Sequence, residues 1–488
     1  MHSLLFLCAR RLLSHRPALR RALALVPAEL YPVLFRAAFR DGRTLALRDL
    51  VGTWPFPLLS FPRLLGRRHR EEKPDKLCVQ AVILAVVAHL RRALEEPPRG
   101  ASESRCRLRV LDMTGLRDAD SDRAPEGMSL WSGTVALAKA CLEVSKHQTA
   151  CLDRRSKRRK APAAAAPLLE IRADLFVNGT SFAVVRDALR APAGPLRLRC
   201  RDFHAEELSV AGTVALLESL DAAGVRRVDL RFNNLGLPGL CAVLPRLARF
   251  ADLLSLKLPY SNVDVRRPAP GTDAGLRCLA AQLGRLPRLK ELDLGSSRIS
   301  GKLRQLLGEL RVPLESLELP FCYLLPCDLA FLSQSFHAPA LRKLDLSGHD
   351  FSRDLLQPLR RLLDETSASL LHLDLMECRL TDAGLEALLP ALCRCSRLRC
   401  LGLFGNPLTA PALKDLLRKT VLLPDLRLVV YPSPADREPP PFAEDAADGE
   451  RCAALSAELR RMLADSGRSD VVWTASLCRH AAPDYFAA

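Results

Sequence analysis

Five residues with chemical capacity fall close together late in the chain: His372, Cys378, Cys393, Cys395 and Cys400. Imidazole and thiolate are zinc ligands. A structural zinc site, however, usually draws on closely spaced cysteine pairs, and the chain has no C-x-x-C. It also has no Gly-rich phosphate loop, no G-x-S-x-G turn and no H-E-x-x-H helix. Cys393 reads as part of a helix and Cys400 as part of the next strand, so burial accounts for them better than a metal does. No enzymatic activity, metal, cofactor or small-molecule substrate is expected.

A second concentration of chemistry is the run Arg154-Arg155-Ser156-Lys157-Arg158-Arg159-Lys160, followed by the Ala/Pro stretch 161–167. Six positive charges there, and a net charge of +17, suggest either a nuclear-localisation or anion-binding cluster, or a solvated flexible insertion at 151–167. No aromatic residue interleaves with the run, so base stacking has no support and a nucleic-acid partner is not expected.

These groups must be positioned by a fold with a leucine-rich core, since aromatics are only 5% of a chain that is 48% hydrophobic. That fold announces itself as a repeat. The pattern L-x-x-L-x-L-x-x-N/C-x-L starts at Val225, Leu253, Leu289, Leu314, Leu341, Leu370 and Leu398, with spacings of 28, 36, 25, 27, 29 and 28 residues. The long spacing contains a Pro/Gly-rich loop from Arg266 to Asp273. The L-x-L alternation makes a short strand with its leucines inward. The ninth position (Asn233, Ser261, Ser297, Cys322, His349, Cys378, Asn406) sits where the chain leaves the strand. Asn can bond neighbouring backbone there, and Cys, Ser or His can fill the same small site. Leu385, Leu388, Leu389 and Leu392 then have helical spacing, with Thr381 or Asp382 as N-cap. The expected fold is an α/β leucine-rich-repeat solenoid, a ribonuclease-inhibitor-like horseshoe with strands on its concave face.

Weaker matches at Leu108 to Leu116, Leu169 to Val177 and Leu196 to Phe203 extend the array, giving a solenoid over 105–433. A Pro-rich acidic linker is expected at 434–450 and a C-terminal cap at 451–488, with a helix from Ala453 to Ala464 and a strand from Asp470 to Thr474. Between the inward leucines, Glu315, Glu318, Lys343, Asp345, His372 and Asp374 point outward. They are candidates for partner binding, or simply solvated positions alternating with buried ones.

Residues 1–100 lack the repeat and read as helices at 4–13, 17–25, 28–38, 44–52 and 76–95. The apolar stretch 4–9 is short for a secretory signal, so the 16 cysteines read as reduced, in an intracellular chain. Five arginines and no acid within 1–28 offer a mitochondrial transit peptide as an alternative. No run is expected to be long enough to span a bilayer, and no membrane is expected as a partner. In this module Leu4, Cys8 and Leu12 lie on one helical stripe after Ser3. The pattern looks like the box by which substrate receptors bind elongin C; the other reading is a helix packing on its own domain. Val26, Pro27, Leu30 and Leu34 resemble a cullin-2 box, and equally an ordinary helix start with core leucines.

Leu30 to Phe39, Thr53-Trp54-Pro55-Phe56-Pro57, Val110 to Thr114, Leu230 to Leu235 and Leu344 to Gly348 resemble the PRAME family, and the likeness extends to Tyr485-Phe486. The basic insertion departs from it. The resemblance implies a substrate-recognition subunit of a cullin-2–elongin B/C ubiquitin ligase. It also implies negative regulation of Toll-like-receptor and NF-κB signalling, through binding of the IκB kinase β subunit that blocks assembly of the kinase core complex. The implied location is cytoplasmic, with a nuclear pool if the basic run acts as an address.

Overall fold

The computed structural model describes residues 4–66, 75–95, 106–116, 128–156, 169–191, 194–266, 271–352, 354–434 and 446–475. They form two compact units, Met1–Asp229 and Leu230–Ala488.

In the second unit the repeat becomes structure turn by turn. Eight three-residue strands run parallel: β6 Ser255–Lys257, β7 Glu291–Asp293, β8 Ser316–Glu318, β9 Lys343–Asp345, β10 His372–Asp374, β11 Cys400–Gly402, β12 Leu428–Val430 and β13 Val472–Thr474. Register is strict, so the central residues Leu256, Leu292, Leu317, Leu344, Leu373, Leu401 and Val429 stack in one column, each at most 1% exposed. Burying one such leucine is worth about 2 kcal/mol. Helices return each strand to its neighbour, among them Pro326–Gln334, Leu356–Thr366, Asp382–Arg394 and Ala410–Thr420. The last two start by the capping rule. The side chains of Thr381 and Thr409 accept from the backbone N–H of Gly384 and Ala412.

The first unit has β1 Leu58–Ser60, β2 Val110–Asp112, β3 Leu169–Val177, β4 Leu196–Ala205 and β5 Arg227–Asp229, also parallel and in chain order. Its helical part is organised by aromatics. Phe35 meets Trp54 and Phe61 at 5.8 Å between ring centroids, and Phe39 meets Phe61 at 5.5 Å. The Trp54 indole N–H donates to the Leu58 carbonyl, which shapes the Trp-Pro-Phe turn.

Four expectations change. The sheet reaches back into the segment read as wholly helical, because β1 pairs with β2; a three-residue strand is too short to show a period. Helix Lys76–Glu95 is long and apolar enough, by length and composition, to cross a membrane, contrary to the expectation that no run is. Within the unit it is a core helix: Cys78, Val79, Val82, Val86 and Leu90 are buried, and 56% of its most apolar window is covered. Residues 151–156 are not a flexible insertion but the last turns of helix Leu130–Ser156; residues 157–167 lie outside the described set. The C-terminal helix runs Ala446–Asp465, starting inside the expected linker, because the prolines stop at Pro441 and the following Ala, Asp and Glu residues propagate a helix. The linker residues 435–445 and the ending at Tyr485-Phe486 lie outside the described residues.

Candidate partner-binding surfaces

Helix Leu4–Leu13 divides its apolar residues between two faces. Ala9 and Leu13 are buried and Leu12 is half-buried, whereas Leu4 is 78% exposed and Cys8 is exposed beside it. Leu5 and Leu7 are exposed too, so the outer face is a contiguous apolar patch. Arg10 pairs with Asp41 at 2.6 Å and fixes the helix to the next part of the unit. Ser3 lies outside the described residues. The second box is placed differently. Val26 is half-buried and Pro27 exposed, ahead of a single 3-10 turn Ala28–Leu30 and helix Tyr31–Arg40. Leu30 is half-buried, but Leu34 is 4% exposed and belongs to the core.

The outward strand residues form separate paired clusters rather than a row of free charges. Glu318 lies between Lys257 at 2.9 Å and Lys343 at 2.7 Å, and Lys257 also reaches Glu291 at 2.9 Å. Burial alone would raise the Glu318 carboxyl, but the two ammonium groups hold it down at about 2. Glu315 takes Lys290 and Arg342 in the same way. Asp345 has an aspartate neighbour in register, Asp374; burial first and that charge second push its carboxyl up to about 6, against the N–H it accepts from Ser347. His372, 6% exposed, meets Asp374 at 2.7 Å. Burial alone would lower its pKa, but bonds to Asp374 and Cys400 raise it to about 9. Pairing across strands (Glu315, Glu318, Lys343) or within one strand (His372 with Asp374) therefore satisfies most of these six candidates before any partner arrives.

Two family models match the two ends of the chain and most of its length: the PRAME N-terminal domain over residues 2–121 and the PRAME C-terminal domain over residues 193–488. The chain belongs to the PRAME family. Relatives include leucine-rich repeat-containing protein 14 of Xenopus laevis, 53% identical over 98% of each chain. The human protein of the same name is 47% identical over the whole of both. Among solved structures, the leucine-rich repeat-containing protein LegL7 from Legionella pneumophila matches with a TM-score of 0.37 and 20% identity, over 58% of this chain and 87% of that one.

In this PRAME-family chain the late cysteines do not converge. Cys378 Sγ donates to the carbonyls of Leu346 and Met376, Cys395 Sγ to those of Leu363 and Ala391, and Cys393 Sγ to that of Lys419. Burial pushes the thiols of Cys378 and Cys395 up to about 12, which keeps them protonated and poor nucleophiles. Among the described residues no group of three or more His, Cys, Asp or Glu is placed to hold a metal.

Sequence reading missed the edge where the chain leaves the strands. Phe232, Tyr260, Phe321 and Tyr323 are 49%, 51%, 42% and 53% exposed. All four have left-handed backbones, with φ between 56° and 57°. That conformation costs a residue other than glycine about 1–2 kcal/mol. Phe232 and Tyr260 stack with centroids 4.6 Å apart. The available signal was aromatic residues on either side of the structural ninth position: Phe232, Tyr260 and Phe321 at the eighth and Tyr323 at the tenth.

Proposed function

We propose that this chain is a protein-binding scaffold that joins a client on its repeats to a cullin-2–elongin B/C ubiquitin ligase. The docking element is helix Leu4–Leu13. One observation carries the reading: Leu4 and Cys8 stand on the solvent face while Ala9 and Leu13 anchor the opposite one. A small thiol below a large leucine leaves a shallow dent for an apolar side chain of the adaptor. Because Leu34 is core, cullin contact rests on Pro27 and Leu30. The client is the IκB kinase β subunit, whose capture keeps the kinase core complex from assembling and so damps Toll-like-receptor and NF-κB signalling. Family resemblance supports this second part. The site of action is the cytoplasm.

The test is a pull-down from cytosolic extract with the wild-type chain and a Leu4→Ala/Cys8→Ala variant, blotted for elongin C, cullin-2 and IκB kinase β. Elongin C and cullin-2 should fall at least about tenfold in the variant, with the kinase subunit unchanged. Absence of elongin C from both chains removes the ligase reading. Absence of the kinase subunit from both removes the signalling one.

A further inference from the structure

Successive repeats of the second unit place one residue each at the strand exit, four positions after the central leucine: Tyr260, Ser296, Phe321 and Gly348, with Phe232 before them. Backbone pairing continues through these positions. The N–H groups of Phe232, Tyr260, Ser296 and Phe321 donate to the carbonyls of Pro259, Gly295, Pro320 and Ser347, each in the following repeat. All five residues have positive φ. The row is therefore rigid, one repeat per step, and bulky rings persist in it where glycine or asparagine would be unstrained.

The row has a gap. Tyr260 stacks on Phe232, and the Phe321 ring lies over Gly348, where a Cβ would stand 2.1 Å from it. Each ring thus has a partner on the side away from Ser296. Two steps of inter-strand spacing put the backbones of Tyr260 and Phe321 about 10 Å apart. The row holds only the small, half-buried Ser296 between them, and that spacing leaves room for about one side chain, a notch floored by Ser296. Two residues on from Ser296, Arg298 shares the single carboxylate of Asp264 with Arg266, at 3.2 and 3.1 Å. Arg266 also lies 4.7 Å from the centre of the Tyr323 ring. This triad has one positive charge in excess. Exposed rings next to arginine are the composition of interface hot spots.

We propose that this notch is a peptide-recognition site, and that its occupant is an extended partner segment with one large apolar side chain and a carboxylate next to it. The apolar group enters between Tyr260 and Phe321, and the carboxylate takes up the excess charge at Arg298 and Arg266. The proposal rests on the scaffold reading and names the surface that does the holding.

The probe is a set of fluorescently labelled Gly/Ser nonapeptides with a central Leu, Phe or Trp, flanked by Glu or by Lys, titrated by anisotropy against the full chain. Glu-flanked peptides should bind and Lys-flanked ones should not. Ser296→Phe continues the row with a residue its neighbours already carry at the same φ, and closes the notch; binding should fall at least about tenfold. Arg298→Glu should switch preference to the Lys-flanked set. Thermal midpoints of both variants serve as the folding control. Lack of binding by every Glu-flanked peptide, equal binding of both sets, or full binding by Ser296→Phe overturns the proposal. Elongin C capture, which uses helix Leu4–Leu13, proceeds in Ser296→Phe whatever the peptides do, so the two readings fail separately.

Discussion

Asn406 makes four hydrogen bonds from one buried amide. Its Nδ2 donates to the carbonyls of Leu375 and Leu403, both at 2.7 Å, and its Oδ1 accepts from the N–H groups of Cys378 and Leu380 at 3.0 Å. Other repeats meet part of the same need with different chemistry. Asn233, Ser261 and His349 each bond the carbonyl three residues back, at 2.9, 2.7 and 2.8 Å. Cys322 donates to Leu294 of the preceding repeat. The ninth position therefore accepts Asn, Ser, Cys or His as its buried polar group, and this was readable from the sequence, because the requirement is local. Asn406→Ala should cost about 3 kcal/mol in urea unfolding, since it strands two N–H groups and two carbonyls away from water. A loss under about 0.5 kcal/mol would mean that water replaces the amide.

Pairing between strands is what the strand elements add. Lys257, Glu291, Glu318 and Lys343 come from four successive strands, β6 to β9, and their network exists only because the register aligns them. The repeat pattern places each residue on the outward face but says nothing of which charge lies opposite which. Repeat lengths vary from 25 to 36 residues, and helix length as well as loop length absorbs the difference: the 25-residue repeat carries a helix of only five residues, Leu303–Leu307. Glu318→Ala should destabilise the fold by about 3 kcal/mol at neutral pH, because it leaves Lys343 without its carboxylate and Lys257 with only one. The Glu318 carboxyl is held below its ordinary value, so its contribution is complete above about pH 4.5 and disappears as the pH falls through about 2. Unfolding of the two chains across that range should show the gap close in acid. A gap that widens in acid would mean the carboxyl is raised rather than lowered.

At the scale of the whole chain, the last turn is closed by residues without the repeat. The N–H of Val472 donates to the Arg427 carbonyl and that of Tyr431 to the Thr474 carbonyl, while Trp473 meets Tyr431 at 5.9 Å. Arg468 donates to the carbonyls of Val421, Leu423 and Leu426 at 2.6, 2.9 and 2.9 Å, covering the end of helix Ala410–Thr420. A chain ending at residue 434 would expose β12 as an open edge with unpaired backbone. It should elute from size exclusion as dimers and larger species, where the full chain gives a single peak. A monodisperse truncated chain would show that the last repeat closes itself.

The amino-acid order by itself determined the repeat, the inward leucines, the interchangeable ninth position and the apolar stripe of Leu4 and Cys8, because each is a periodicity within one helix or one turn. Only the tertiary structure decided which outward groups remain for a partner. Glu318 and Lys343 already occupy each other across adjacent strands, and Leu34 is buried in the core; Tyr260 and Phe321 stand exposed at the strand exits. The reason is register. A side chain's availability depends on what the next turn of the solenoid sets against it, and that neighbour lies 25 to 36 residues away with no local signature.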